Sequence, residues 1–217
     1  MGQRHADALD RLWPMYGISV AQDPVPPLDL AQLFGRRAPV VLEIGSGMGE
    51  CTAAMAQADP DRGYLAVEVH PPGIANLLAT VEERGLDNVR VAAGDALDLV
   101  RYQVAPQSMD AIHAFFPDPW PKARHHRRRL IQPEHVALLA ARLVPGGTLH
   151  CATDWGDYAH EMRATLAGEP LLVNAYQAFA PRPVYRPETK FERRAVEAGR
   201  PVFDVVFHRR PSPGAAR

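Results

Sequence analysis

Short apolar runs alternate with helical stretches along most of this sequence, and this alternation constrains the fold more than any other feature. Five runs rich in Val, Ile, Leu and Ala are typical of buried strands: residues 39–45, 63–70, 88–95, 109–116 and 147–154. Apolar side chains recur at helical spacing in the segments between them: residues 49–58, 72–84 and 133–143. Strands separated by helices pair in parallel through right-handed crossovers. The sequence therefore predicts an α/β fold with a doubly wound, mostly parallel sheet and helices on both faces.

The segment before the alternating region, residues 1–38, is predicted to be a lead-in. Leu9, Leu12 and Trp13 share one face of a helix, and Pro14 then stops or bends it. The prolines that follow favour an extended connection, because proline fixes φ and donates no backbone hydrogen bond.

Residues 39–210 form the predicted Rossmann-like core of one domain. A chain of 217 residues with 47% hydrophobic side chains can bury one substantial core, and it has no linker long enough to separate two domains. Beyond residue 154 the pattern predicts a further helix. The sequence then becomes polar and proline-rich, and only residues 201–208 again indicate a strand. Residues 211–217 are predicted to be a disordered tail.

Composition limits the classes of protein this chain can belong to. Its 24 Lys and Arg balance 25 Asp and Glu, so it lacks the overall charge of a general polyanion binder, and any nucleic-acid site must be local. It has no apolar run near the roughly 20 residues of a membrane span and no apolar signal-peptide core, so we expect a cytoplasmic protein. Cys51 and Cys151 are predicted to be buried thiols, without a disulfide or a zinc site.

Glycines follow the first predicted strand directly. The stretch VVLEIGSGMGE places Gly45, Gly47 and Gly49 where a helix begins. In a doubly wound sheet, ligands bind at the carboxyl ends of the strands, and glycines there let the backbone approach a ligand closely. The spacing G-x-G-x-G differs from the G-x-G-x-x-G of dinucleotide-binding proteins. We therefore interpret Gly45 and Gly47 as part of a cofactor site, and an NAD-dependent dehydrogenase is disfavoured.

Acidic residues lie at the ends of the first three core strands: Glu43, Glu68 and Asp95. Carboxylates accept hydrogen bonds from an ammonium group, a ribose diol and an adenine amino group, whereas they repel a pyrophosphate. This favours S-adenosylmethionine (SAM) over NAD. The alternative is a helix cap or a solvated strand end, and for Asp95 the cap is equally compatible with the sequence. For Glu43, a charge in an apolar run is costly without a partner, which favours a ligand.

The loop after the fourth core strand combines stiffness, one carboxylate and many cations in HAFFPDPWPKARHHRRRL, residues 113–130. Three prolines flank Asp118 and Trp120, and they restrict the backbone of the loop. Five cations follow within eight residues: Lys122, Arg124, Arg127, Arg128 and Arg129. Such a cluster suits phosphates, although a charged run is often only a solvated surface. Trp120 either stacks on a splayed guanine or packs under the loop as an anchor.

Four motifs, in this order, closely resemble the bacterial tRNA (guanine-N7-)-methyltransferases: EIGSGMGE, FPDPWPKARHHRRRL, TDWGDY and PETKFERRA. The resemblance covers roughly residues 5–208. It implies a class I SAM-dependent methyltransferase fold with seven strands, and methyl transfer from SAM to N7 of guanosine 46 in the tRNA variable loop. It also implies S-adenosylhomocysteine as the product. Family members usually have a longer, arginine-rich N-terminal segment before the point where this chain starts.

The resemblance also implies roles for individual residues. Glu43, Glu68, Asp95 and Asp118 match the SAM-site acids of the family, and Asp118 matches its catalytic position. Substrate-binding positions are matched by Lys122, Asp154, Thr189, Lys190, Phe191 and Glu192. The RNA-contacting segment is matched by Arg124, His125, His126, Arg127, Arg128 and Arg129. From the residues alone, Asp154 can instead cap the following helix, Phe191 is expected in the core, and the two histidines lack metal-binding spacing.

The chemistry of the implied substrate restricts what the enzyme must do. Guanine N7 carries a lone pair and no proton, so its methylation needs no base, and catalysis rests on positioning and charge. Asp118 is therefore predicted to orient and stabilise the guanine, without accepting a proton. The alternatives are a SAM-dependent methyltransferase that acts on another RNA or a small molecule, and a catalytically idle RNA-binding protein. We expect tRNA as the partner, no metal, no membrane and no obligatory protein partner, with a monomer or a homodimer.

Overall fold

The computed structural model describes residues 3–211, which contain eight strands, eight α-helices and one 3₁₀ helix. The chain groups into two compact units. Unit 1 runs to Ala105 and includes Tyr185–Pro187; unit 2 comprises Pro106–Val184 and the chain from Glu188 onward. The single domain expected from the sequence stays a prediction. The tail predicted at residues 211–217 lies outside the described residues, apart from Pro211.

Unit 1 contains four parallel strands. They are β1 (Gly17–Ser19), β2 (Val40–Ile44), β3 (Gly63–Glu68) and β4 (Val89–Ala93). Their spatial order is β1-β4-β3-β2. Every residue of β2 and β3 is buried, which explains why both are apolar along almost their whole length. Because the strands are parallel, the carboxyl ends of β2, β3 and β4 meet at one edge of the sheet.

Five helices accompany these strands: α1 (Gln3–Tyr16), α2 (Leu30–Phe34), α3 (Glu50–Ala58), α4 (Pro71–Arg84) and α5 (Ala96–Tyr102). The predicted lead-in helix is confirmed as α1. Pro14 lies inside its last turn, where a missing backbone donor removes a single hydrogen bond, so the helix continues for two residues beyond it. Helix α4 begins with Pro71 and ends at Arg84, and Gly85 caps its end in a left-handed conformation.

Unit 2 contains four strands with mixed pairing. They are β5 (Met109–Phe115), β6 (Leu143–Thr153), β7 (Leu172–Asn174) and β8 (Phe203–Arg209). Their order is β5-β6-β8-β7, in which β5 and β6 are parallel and β8 pairs antiparallel with both of its neighbours. The helices are α6 (Pro133–Arg142), α7 (Gly156–Ala167) and α8 (Lys190–Glu197), and Ala123–Arg128 forms the 3₁₀ helix.

The mostly parallel α/β fold is confirmed, and the strand count is eight where the resemblance implied seven. All six apolar runs that indicated strands are strands. The strands without a sequence signal are β1 and β7, which have three residues each and are too short to show a pattern. Strand β6 starts four residues earlier than predicted and runs through the glycines at 146 and 147, because α6 leads into it without a loop.

Candidate functional site

The glycine loop after β2 has a backbone that favours glycine. Gly45, Gly47 and Gly49 have φ values of 71°, 57° and 77°, in the left-handed region that residues with a Cβ rarely adopt. The N–H groups of Gly45 and Ser46 donate to the carbonyl of Val67 at 2.9 and 3.3 Å, which fastens the loop to the end of β3. As predicted, these glycines form the connection between strand β2 and helix α3.

Helix α4 approaches this loop so closely that it requires a further glycine, which sequence reasoning missed. A Cβ on Gly73 would lie 2.1 Å from the carbonyl oxygen of Gly47. Asn76, one turn further along, donates its side-chain amide to the carbonyl of Met48 at 2.7 Å. The sequence signal was a glycine in the first turn of a helix, where its lack of a Cβ permits close contact.

Glu68, at the end of β3, holds the glycine loop in place. Its Oε2 accepts the N–H of Gly47 at 2.7 Å, and its Oε1 accepts the N–H groups of Val69 and His70 at 2.7 and 2.9 Å. A carboxylate has about four acceptor positions, so Oε2 keeps capacity for one more donor. Glu68 therefore organises the loop and can still bind a hydroxyl group.

Asp95 caps a helix, as the alternative interpretation expected. Its Oδ1 accepts the N–H groups of Leu97 and Asp98 at 2.8 and 3.1 Å, at the start of α5. Its Oδ2 has no partner among the described side chains of residues 7–211 or the backbone of residues 3–211, and the side chain is exposed. The cap thus fixes the position of this carboxylate and leaves one oxygen directed to other donors, so both interpretations of Asp95 are compatible.

Glu43 is a buried carboxyl group without a cationic partner in the described part of the chain. Its side chain is 3% exposed, and the hydroxyl of Thr52 donates a hydrogen bond to its Oε2. Burial raises the pKa of Glu43 to about 7, an effect that hydrogen bonds from Thr52 and Cys51 oppose and that the charge of Glu68 adds to. Nearby, Ser46 Oγ is buried and has no hydrogen-bond partner within residues 3–211. Both groups are polar, buried and incompletely satisfied, as expected of groups that bind a ligand.

The loop after β5 leaves the strand through an unusual backbone. Phe116 has φ 52°, and its N–H donates to the carbonyl of Ala152 at 2.7 Å; Trp120 has φ 43°. Bulky residues with positive φ are outliers that cluster at functional sites. Between them, Asp118 is exposed, and its carboxylate has no hydrogen-bond or ion-pair partner among the described side chains of residues 7–211 or the backbone of residues 3–211.

Arg129 differs from the other cations of the basic segment, because it is only 1% exposed. Its guanidinium forms an ion pair with Glu161, donates from Nε to the carbonyl of Pro119 at 2.9 Å and contacts His126 Nε2 at 3.0 Å. It also lies over the ring of Tyr158, with Cζ 4.6 Å from the centroid. Arg129 was expected to contact RNA, but its guanidinium is committed to protein partners, so we assign it to holding the loop.

The remaining cations of the segment are exposed: Lys122, Arg124, Arg127 and Arg128. Trp120 packs among them, with Arg128 Cζ 5.0 Å from its ring centroid and the His125 ring in an edge contact at 5.9 Å. These contacts support the anchor interpretation of Trp120. Arg124 Nε donates to His125 Nε2 at 3.1 Å, so the segment has internal order.

Asp154 does not cap a helix, so that alternative is wrong. The residue at the start of α7 is Trp155, whose side chain makes no capping hydrogen bond, and the N–H of Trp155 is taken by the hydroxyl of Thr153 at 3.2 Å. Asp154 instead forms an ion pair with Arg200 at 2.9 Å. This pair leaves the carboxylate partly exposed.

The TKFE segment forms the start of α8. Thr189 caps the helix by accepting the N–H of Glu192 at 3.1 Å, and the buried Glu192 carboxylate pairs with Arg182 at 3.4 Å. Phe191 was expected in the core but is 48% exposed. The helix buries the face that carries Glu192 and Ala195, which turns Phe191 outward.

Both cysteines are buried, as predicted, and burial raises the pKa of Cys151 to about 12. Across residues 3–211 there is no group of three or more His, Cys, Asp and Glu side chains placed to hold a metal ion. In the same residues, no helix has the length and apolar character needed to cross a membrane.

Comparison with known proteins defines the class and then the family. A family model described as a putative methyltransferase matches residues 37–205. The solved structure of the 16S rRNA methyltransferase KamB aligns with a TM-score of 0.63 at 18% identity, covering 89% of this chain and 99% of its own. The fold is therefore that of the class I SAM-dependent methyltransferases.

Relatives in sequence narrow this class. The tRNA (guanine-N(7)-)-methyltransferase of Bordetella pertussis is 51% identical over 95% of this chain and 80% of its own length. The protein of the same name from Dechloromonas aromatica is 53% identical over 92% of this chain and 80% of its own. That of Streptomyces coelicolor is 51% identical over 96% and 78%. This chain belongs to the tRNA (guanine-N7-)-methyltransferase family.

The raised pKa of Glu43 predicts how stability depends on pH. Between about pH 4.5 and 7, the unfolded chain ionises this residue while the folded chain keeps it protonated, so the free energy of unfolding falls as pH rises. At 1.36 kcal/mol per pKa unit, the loss is on the order of 3 kcal/mol. The Glu43→Gln variant lacks this contribution. Its free energy of unfolding, relative to that of the wild type, should therefore be higher at about pH 8 than at about pH 5.

Urea denaturation of both proteins without cofactor, at each pH, measures the effect. Other titrating groups contribute equally to the two proteins and cancel in the difference. Parallel pH dependences of wild type and Glu43→Gln would show that Glu43 ionises normally in the folded protein.

Proposed function

We propose that this protein transfers the methyl group of SAM to N7 of a guanosine in tRNA, forming 7-methylguanosine, with guanosine 46 of the variable loop as the target. The observation that carries the proposal is the identity of 51% to 53% to relatives of that name across more than nine tenths of the chain. The arrangement of polar groups in each unit supports it.

The strand ends of unit 1 carry the residues that would hold SAM. Glu43 is suited to its ammonium group, because a buried carboxyl group without a cation gains most from a cationic ligand. Glu68 has acceptor capacity for a ribose hydroxyl, and Asp95 Oδ2 for an adenine amino group. Gly45 and Gly47 let the backbone lie against the ligand. When bound, SAM supplies an electrophilic methyl group on a cationic sulfur.

The reaction moves charge and no proton. The lone pair of guanine N7 forms the new N–CH₃ bond as the S–CH₃ bond breaks, and the electrons of that bond stay on sulfur. One positive charge therefore passes to the purine. We propose that Asp118, whose exposed carboxylate has no partner among the described side chains of residues 7–211, accepts hydrogen bonds from the N–H edge of guanine and stabilises this charge.

The exposed cations of unit 2 would bind the tRNA backbone. Lys122, Arg124, Arg127 and Arg128 project from a segment whose own position is fixed by Arg129. Because the net charge of the chain is −1, this local cluster has to supply the attraction to phosphates. His125 and His126 lie in the same segment, and we extend the proposed RNA contact to them. Asp154, Thr189, Lys190 and Glu192 are proposed to position the nucleotide.

Two alternatives remain distinguishable by experiment. A methyltransferase acting on another RNA shares every feature of unit 1, so only the site of methylation separates it from the proposal. An idle RNA-binding protein would have no use for the partnerless carboxylate of Asp118 or the buried Glu43. We place the protein in the cytoplasm with its tRNA, as a monomer or a homodimer.

Incubation with methyl-labelled SAM and unmodified tRNA tests the proposal. We expect label at the variable-loop guanosine, located by chain cleavage at 7-methylguanosine. A tRNA with 7-deazaguanosine at that position is the matched control, because it lacks only the accepting nitrogen and should receive no label. Label on the deaza tRNA, or label confined to other nucleotides, would contradict the proposal.

The pH dependence of the chemical step tests the role of Asp118. With both substrates saturating, the single-turnover rate of the wild type should be nearly independent of pH over about two units around neutrality, since no proton is transferred. Asp118→Asn should be slower by about 10- to 1000-fold, with an equally flat profile. A wild-type rate that rises with one ionisation, lost in Asp118→Asn, would identify Asp118 as a proton acceptor.

A further inference from the structure

Two phenylalanines of unit 2, Phe116 and Phe191, form a stacked pair; the resemblance places Phe191 at a substrate-binding position but gives no role to its ring or to Phe116. The rings of Phe116 and Phe191 are nearly parallel, with an interplanar angle of 22° and centroids 6.1 Å apart. This is the offset arrangement that aromatic rings prefer. Phe191 is 48% exposed, so much of its ring remains accessible beyond the pair.

The pair has a fixed base. Phe116 follows β5 directly, and its backbone N–H is bonded to Ala152 in the neighbouring strand β6. Its positive φ of 52° is unfavourable for a residue with a Cβ, and it directs the chain into the loop that carries Asp118 two residues later. Phe191 is held by the first turn of α8, which Thr189 caps. Both rings are therefore set by ordered backbone.

The face of Phe191 already attracts a cation. The ammonium of Lys190 lies 5.5 Å from the ring centroid, within the range of a cation–π interaction. A lysine side chain is flexible and can move to a phosphate while another group takes its place on the ring. Phe191 stacks on Phe116, two residues before Asp118, and a face of this pair that accepts a cation matches the chemistry of a purine that becomes positively charged.

We propose that Phe116 and Phe191 form a platform on which the target guanine stacks, with Phe191 contacting the base, and that this platform stabilises the positive charge that develops on the purine. The inference rests on the proposed methylation of guanine N7. A neutral guanine gains stacking energy on such a surface, and a methylated, cationic guanine gains a cation–π contribution in addition. Because the second contribution grows during the reaction, it accelerates the reaction as well as strengthening binding.

Two substitutions at Phe191 separate the π system from apolar bulk. Phe191→Leu keeps an apolar side chain on the same helix face, and Phe191→Trp keeps an aromatic face. We expect Phe191→Leu to lower kcat for tRNA methylation about 5- to 50-fold, and Phe191→Trp to remain within about 3-fold of the wild type. Neither variant should change the dissociation constant for SAM. Val196→Ala, at a position on α8 that is 65% exposed, is the control and should leave all parameters unchanged.

A second measurement does not depend on turnover. Titration of the protein with guanosine monophosphate and with 7-methylguanosine monophosphate should show tighter binding of the methylated nucleotide, whose base is cationic, by about 3- to 30-fold in the wild type. Phe191→Leu should lose most of that preference, and Phe191→Trp should keep it.

The outcomes distinguish the two proposals. Absence of methylation at N7, with the nucleotide preference present and dependent on an aromatic residue at 191, contradicts the proposed function and supports the platform. Normal methylation by Phe191→Leu, or a nucleotide preference that Phe191→Leu retains, overturns the platform and leaves the proposed function standing.

Discussion

A carboxyl group buried at the end of β2, with no cationic partner in the described chain, is the constraint around which unit 1 is arranged. Ionised Glu43 is costly in this position, and burial raises the pKa of its carboxyl group to about 7. The glycine loop begins two residues after Glu43, Glu68 fixes the loop, and Gly73 lets α4 contact it. A buried carboxyl group without a cation is costly to ionise, and this is the basis of its proposed role in binding the cationic cofactor.

Arg129 in unit 2 is also a buried charged residue, but, unlike Glu43, it has an oppositely charged partner in the described chain. Its guanidinium has an ion pair, a backbone acceptor and an aromatic face, all supplied by the protein. A buried charge with protein partners needs no ligand to compensate its desolvation, whereas one without such partners is costly unless a ligand supplies them. On this ground we assign Arg129 to holding the basic segment, while the binding roles of Glu43 and of the exposed Asp118 stay proposals. The four exposed cations of the segment can then act on the tRNA backbone.

Much of the fold was predictable from sequence, because six strands are continuous apolar runs long enough to be recognised, and Glu43 stood out as a charge within one of them. Strands β1 and β7 were missed because three residues carry no periodicity. The exposure of Phe191 depends on the rotation of α8, which its polar, proline-flanked sequence does not determine. Arg129 has the same charge as its neighbours, and only its contacts with Glu161 and Tyr158, far along the chain, distinguish it. Gly73 could not be recognised from the sequence for the same reason, since only its contact with Gly47 in the fold requires a glycine there.

Proton release on SAM binding tests the central claim, that the buried carboxyl group of Glu43 is the site for the cationic part of the cofactor. A cation next to this group lowers its pKa below about 7, so binding near neutral pH must expel a proton. Calorimetric titrations in two buffers of different ionisation enthalpy count it. At about pH 7 the wild type should release roughly half a proton per SAM bound, and Glu43→Gln should release almost none while binding more weakly. Equal proton release by both proteins, or none by the wild type, would contradict this account.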